Sequence, residues 1–247
     1  MFHIPTLLYH HINESFVNNI TITPRQFEEQ LDYLRANSYN VVSLDTALAW
    51  LQTGQAVPQK SVLITFDDGY EDFYTAAFPL LQTFNYPATV FPVIEATGHW
   101  NEWNRRAPYI ARHLSWPQIE ELSRHNITFG CHTLSHHSLV RFDEPQIHHQ
   151  LKAAQTTLSQ KIGQPVTALS YPYGDHNPLT RRIAAEIFQI AFSVDSGGWD
   201  WNTHRFAIRR LKIGPDTTLA QIESMLNRAV HEDGINYPVS RLPDVKT

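Results

Sequence analysis

Short apolar runs alternate along the chain with stretches whose apolar residues recur at helical spacing. Ile4 to Tyr9 reads as a strand and Val41-Val42 as a brief one. Ser61 to Phe66 and Ala88 to Val93 are β-rich and almost wholly apolar, the pattern of strands covered on both faces. Ile127 to Phe129, Ala168 to Tyr171, Phe188 to Val194 and Phe206 to Ile213 read as later strands. Between them lie helices. Thr23 is an N-cap candidate, Pro24 suits the first helical position and Gln26 completes a capping box, ahead of an apolar face of Phe27, Leu31 and Leu34. Ala47, Leu48 and Leu51 mark a second helix, and Ser115-Trp116-Pro117-Gln118 repeats the start signal before Ile119 and Leu122. Pro145 to Ile162 is a long helical pattern closed by Gly163, and Thr218 to Val230 is the last.

Repeated β-then-α units predict an α/β fold with a parallel sheet, open or closed into a barrel. Its 247 residues suit one large domain, 1–247, in which 231–247 forms a tail without periodicity. In such folds chemistry gathers at the C-terminal ends of the strands. Gly98 to Arg112 breaks the alternation and reads as a long loop near that face.

Composition narrows the class only a little. The chain is 42% hydrophobic and 17% charged, ordinary for a protein with a sizeable core. A net charge of −5 and no Lys/Arg cluster argue against a nucleic-acid partner. The single cysteine, Cys131, excludes a disulfide within the chain and reads as a small core residue. No run approaches the roughly 18 apolar residues a membrane span needs, so no transmembrane segment is expected. The N-terminus lacks the basic and apolar regions of a signal peptide. The expected location is cytoplasmic as written, or extracytoplasmic if a signal has been trimmed away.

Four polar motifs follow strand candidates directly. Thr65-Phe66-Asp67-Asp68-Gly69 places two adjacent carboxylates at a strand end, where they are costly unless they share a cation or a proton. One would bind a metal and the other stay free as a base. His132-Thr133-Leu134-Ser135-His136 offers two imidazoles one turn apart. With one carboxylate they make a two-His-one-Asp set that leaves positions open for water and substrate. Ser170-Tyr171-Pro172-Tyr173-Gly174 is a sharp turn able to aim a backbone N–H at an oxyanion, with Tyr171 a candidate substrate contact. Asp195-Ser196-Gly197-Gly198-Trp199 offers a carboxylate that could orient a catalytic group and an indole that could wall an acyl pocket. Each motif alone also fits a solvated turn or simple packing; their common position at strand ends is what joins them.

The pair of T-F-D-D-G and H-T-x-x-H, with Leu139 after it, resembles the polysaccharide deacetylase (NodB-homology) family, carbohydrate esterase family 4. The resemblance runs from Tyr9 to about Ile213 and implies a distorted (β/α) barrel in a single domain. It implies a zinc-type divalent metal, Zn2+ before Ni2+ or Co2+, held by Asp68, His132 and His136. By the same match Asp67 is the general base and the Tyr173 N–H an oxyanion donor.

Two departures from the family pattern matter. Its third motif usually begins with arginine, where this chain has Ser170. Its C-terminal Leu-x-His, the usual acid, is here Leu211-Lys212-Ile213. Leu8-Tyr9-His10-His11-Ile12 resembles instead the Tyr-His-x-Ile opening of the subfamily that includes poly-N-acetylglucosamine deacetylases. That match makes His10 the candidate acid, with His11 and His204 as rivals. Arg210, or its neighbour Arg209, is the candidate to replace the missing arginine. The expected activity is metal-dependent removal of an acetyl group from an N-acetylated amino sugar, in a polysaccharide, a lipopolysaccharide or a glycolipid. The alternatives are another amide or ester hydrolase on the same scaffold, or a non-catalytic carbohydrate-binding protein. The oligomeric state is not legible.

Overall fold

The computed structural model describes residues 3–15, 18–100, 111–197 and 203–231. The first strands are β1 (Thr6–Tyr9), β2 (His11–Ile12) and β3 (Thr21–Ile22). Helix α1 (Pro24–Ala36) starts at the predicted capping box, with Thr23 Oγ1 accepting from the Gln26 N–H. After β4 (Asn40–Val41), α2 (Leu44–Thr53) ends on Gly54 in the left-handed region. The long apolar run becomes β5 (Ser61–Asp68), buried at every residue. Helix α3 (Phe78–Phe84), entered through a π-turn at Phe73–Ala77, precedes β6 (Ala88–Pro92). Then follow α4 (Trp116–Leu122), β7 (Ile127–Phe129), α5 (Glu144–Ile162), β8 (Ala168–Ser170), α6 (Pro178–Ile187), β9 (Ile190–Phe192), β10 (Leu211–Lys212) and α7 (Leu219–His231). The tail beyond 231 lies outside the described residues.

The α/β fold with a parallel sheet is as expected. The main sheet runs β10-β1-β5-β6-β7, every neighbouring pair parallel, with β4 on the N-terminal end of β5. β8 and β9 form their own parallel pair. Two single bridges join the two sheets, Cys131 with Leu169 and Phe192 with Ile208. Since Ile208 leads directly into β10, the hydrogen-bonded path returns to its start. The result is a barrel with two thin seams, which is the physical content of "distorted".

Side-chain alternation along β5 sorts the core. Val62, Ile64 and Phe66 pack with α1, α3 and α5 residues in one cluster. Leu63 points the other way and packs with Phe91, Phe192 and Ile208 and with Leu44, Ala47, Leu48 and Trp50 of α2. The barrel interior is therefore filled with hydrocarbon, with α2 packed against it, and Thr65 and Asp67 continue the Leu63 side of the strand toward its C-terminal end. Two helices, α3 and α6, are not among the elements named above. α6 is amphipathic, burying Ile183 and Ala184, and it starts on a local signal: Asn177 caps, Pro178 follows it and Thr180 closes the box.

Candidate functional site

β5 delivers Asp67 and Asp68 to the barrel rim while still paired, opposite Phe91 and Pro92 of β6. The chain then turns sharply. Asp68 has φ 69° and Gly69 φ 70°, and a Cβ on Gly69 would sit 2.8 Å from Pro92 Cα, so only glycine fits there. Asp68 Oδ1 lies 3.3 Å from His132 Nε2 and 3.2 Å from His136 Nε2. The three ligand atoms fall within 4.8 Å of one another, and all three residues are buried. That carboxylate oxygen has no well-formed hydrogen bond among the described residues. A buried oxygen and two ring nitrogens that converge without bonding each other fit a divalent cation. Burial would raise the Asp68 carboxyl, but the His136 and His132 imidazoles hold it well below the usual range.

The ligands are supported from behind. His132 Nδ1 donates to the Ser170 carbonyl at 2.8 Å, which fixes the ring and turns Nε2 to the cleft. The His136 N–H bonds Thr133 Oγ1 at 3.1 Å. Seven described non-glycine residues have positive φ, and four of them are Asp68, Thr133, His136 and Tyr173. Such backbone costs of the order of 1–3 kcal/mol per residue and persists only where surrounding packing dictates it.

Asp67 has a different partner. Arg210 donates from Nη1 to Oδ1 at 2.8 Å and from Nη2 to Oδ2 at 2.7 Å. Nε bonds the Ser193 carbonyl at 2.8 Å, Nη2 also meets Ser170 Oγ at 2.8 Å, and Nη1 reaches Thr65 Oγ1 at 3.4 Å. All five donors of this fully buried guanidinium are thereby used. Ser170 Oγ in turn donates to Asp67 Oδ2 at 3.0 Å. Burial would raise the Asp67 carboxyl, but Arg210 and His132 outweigh it and keep it below its ordinary range. Of the two arginines left open by the sequence, the structure puts Arg210 on Asp67.

The histidine rivals separate in the same way. Tyr9 turns into the core, bonding Gln30 and stacking with Phe66, so alternation sends His10 to the opposite side. The His10 imidazole lies in the field of Asp68, Asp67, Arg210 and His132; burial pushes it down to about 4 despite the two carboxylates. His11 is bonded through Nδ1 to Asp72 Oδ2 at 2.6 Å. His204 accepts from the Phe206 N–H and is influenced by Arg181 and His176 rather than by either aspartate.

Tyr173 takes the left-handed conformation at φ 61°, with its exposed ring 4.7 Å from that of His136. Among the described residues its N–H meets no acceptor. Tyr171 corrects the expectation of a substrate contact. It is fully buried, and its hydroxyl donates to the Phe206 carbonyl at 3.2 Å, because the residue after Ser170 turns away from the cleft. Asp195 is also placed differently from the expectation: its exposed carboxylate bonds the Ser193 hydroxyl and faces His176, and only its backbone carbonyl reaches Arg210. Trp199 and residues 101–110 of the expected loop lie outside the described residues.

Two supporting residues had no local signal in the sequence. His113 Nδ1 approaches the Asp68 carbonyl at 3.0 Å, and burial pushes its ring down to about 4. Asp72 was hidden because its partner, His11, is distant in the chain. A spacing of four from Asp68 was the only trace.

The polysaccharide deacetylase family model matches residues 54–188, which contain Asp67, Asp68, His132, His136 and the Tyr173 turn. The YxkH protein of Bacillus subtilis is 28% identical over 227 residues, 90% of this chain and 77% of that protein. A poly-β-1,6-N-acetyl-D-glucosamine N-deacetylase of Staphylococcus aureus is 25% identical over 222 residues, 85% of this chain and 73% of that protein. Among solved structures, a Streptococcus pyogenes deacetylase, PplD, in complex with acetate, superposes with a TM-score of 0.80 at 24% identity, covering 91% of this chain and 98% of that one. That likeness is one of fold.

Proposed function

The chain belongs to the polysaccharide deacetylase family, and on that premise we propose that it hydrolyses the N-acetyl group of poly-N-acetylglucosamine, releasing acetate and a free amine. The observation that carries this reading is the division between two adjacent carboxylates: Asp68 converges with two imidazoles, while Asp67 is clamped by Arg210. Similarity to the poly-β-1,6-N-acetyl-D-glucosamine N-deacetylase of Staphylococcus aureus favours a polymer over a lipid-linked sugar. No helix among the described residues is long and apolar enough to cross a membrane.

Asp68, His132 and His136 would hold the metal, with zinc the best match to one carboxylate and two imidazoles, and nickel or cobalt suited to the same donors. When bound, the ion supplies Lewis-acid polarisation and lowers the pKa of water from about 15.7 towards 7. Asp67 takes the proton of the attacking water. Arg210 and Ser170 keep its carboxylate ionised and aimed. The Tyr173 N–H donates to the oxyanion that forms on the acetyl carbonyl. His10 protonates the departing amine. Burial pushes the resting His10 ring down to about 4, so it starts neutral at neutral pH, and the proton that Asp67 takes from water balances the one the amine gains. The Tyr173 ring, exposed beside His136, is an aromatic surface available to a sugar ring.

The test is acetate release from N-acetylglucosamine oligomers by metal-loaded protein, with metal content measured alongside. Turnover that is lost in Asp67→Asn while metal is retained supports the reading. A protein that holds metal but releases no acetate from any oligomer refutes it.

A further inference from the structure

His11 and Asp72 form a buried couple that the reaction itself does not use, exposed by only 0% and 8%. Burying a carboxylate beside an imidazole is costly, and the couple contributes nothing to the metal set. Asp72 stands just before the Phe73–Ala77 turn, where an aspartate would ordinarily cap the backbone, yet its side chain makes no capping bond. The carboxylate is spent on His11 instead. The His11 ring also stacks on Tyr70 at 3.6 Å and 22°, and Tyr70 lies 4.7 Å from His113, whose Nδ1 meets the Asp68 carbonyl. Behind this row, His11 pairs with Thr21 of β3.

The two ends of the row are telling. His11 is covalently next to His10, and Asp72 lies four residues after the ligand Asp68. We propose that the His11–Asp72 couple is a positioning device. It ties the β1 end that carries the acid to the β5 end that carries base and metal ligand, and so sets His10 against the scissile nitrogen. This rests on the reading of His10 as the acid. The couple touches neither substrate nor metal; it acts through the backbone of its neighbours.

The acid is needed only when the leaving group must take a proton. A sugar amine must; the phenolate of an activated aryl acetate need not, although water attack, base and metal are the same. The readout is therefore the ratio of amide to aryl-acetate turnover in the metal-loaded enzyme. His10→Ala sets the reference, and if it does not lower this ratio, the acid reading fails whatever Asp72 does. Given that reference, Asp72→Ala is expected to lower the ratio by about 10-fold or more, with metal content unchanged. Asp72→Asn, which keeps an oxygen for the His11 Nδ1–H, is expected to recover most of it. His11→Phe, which keeps the stack on Tyr70 and removes the bond, reads the same ratio should Asp72→Ala fail to fold. The inference is overturned if His10→Ala lowers the ratio while Asp72→Ala and His11→Phe leave it within twofold, or if they lower both turnovers equally.

Discussion

Arg210 grips Asp67 through two parallel N–H···O bonds of 2.8 and 2.7 Å, across 143 residues of sequence. The guanidinium lies over Phe91 and Phe192, which pack on each other at 5.6 Å, with its carbon 6.0 and 5.7 Å from the ring centres. A planar fork on aromatic faces is a geometry lysine cannot copy. Arg210→Lys is therefore expected to lower kcat about 10²-fold, and Arg210→Ala to cost in addition about 3–5 kcal/mol of stability by stranding a buried carboxylate. Arg209→Ala should leave kcat within about twofold. Steady-state rates and urea midpoints for the three variants check this.

The two aspartates should fail differently. Asp67→Asn keeps the metal and loses about 10²–10⁴-fold in kcat, the size of a general-base contribution. Asp68→Asn loses metal as well as turnover, since one of three ligands has become neutral. Metal content by elemental analysis, beside acetate release, separates them.

Arg210 also sets a pH limit. The folded Asp67 carboxyl lies below its ordinary value of 3.8, so the pair contributes stability that is fully present above that value and lost as pH falls through the folded one. The base thus stays ionised throughout the neutral and mildly acidic range. In Arg210→Gln the main opposing charge is gone and burial raises the carboxyl. The acid limb of kcat/KM should then move to higher pH by about one unit or more, each unit being about 1.4 kcal/mol. An unmoved limb would detach Asp67 from the base role.

Tyr171→Phe tests the corrected placement of that residue. It removes one buried hydroxyl from the Phe206 carbonyl, which should cost about 1–3 kcal/mol in thermal or denaturant unfolding. KM for the oligomer should not change, because the ring does not reach the cleft.

What could be read in advance was chemistry held in local sequence. The caps of α1 and α4, the strand Ile127–Phe129 and the Gly163 stop of α5 all sit where their residues said. Asp68, His132 and His136 converge because two motifs follow two strands of one parallel sheet. Arg210 was readable only as one of two neighbours, since facing follows from the barrel closing at Ile208, not from spacing. Tyr171 was misread for a related reason: a three-residue strand ending in a turn gives no period long enough to say which way its next ring points. The His11–Asp72 bond left only the spacing of four from Asp68, and His113 behind Asp68 left no mark, both being tertiary contacts over 61 and 45 positions.

The left-handed backbone at Asp68, Thr133, His136 and Tyr173 has a consequence for how the protein ages or tolerates mutation. These four positions draw their shape from the packing beneath them, so the rim is a gauge of the barrel's condition. A substitution that loosens the interior, at Leu63 or Trp50 for example, would let the rim relax towards easier angles before the chain unfolds. Weaker metal retention would then be the first symptom of a softening core, seen at temperatures where the overall fold still registers as intact.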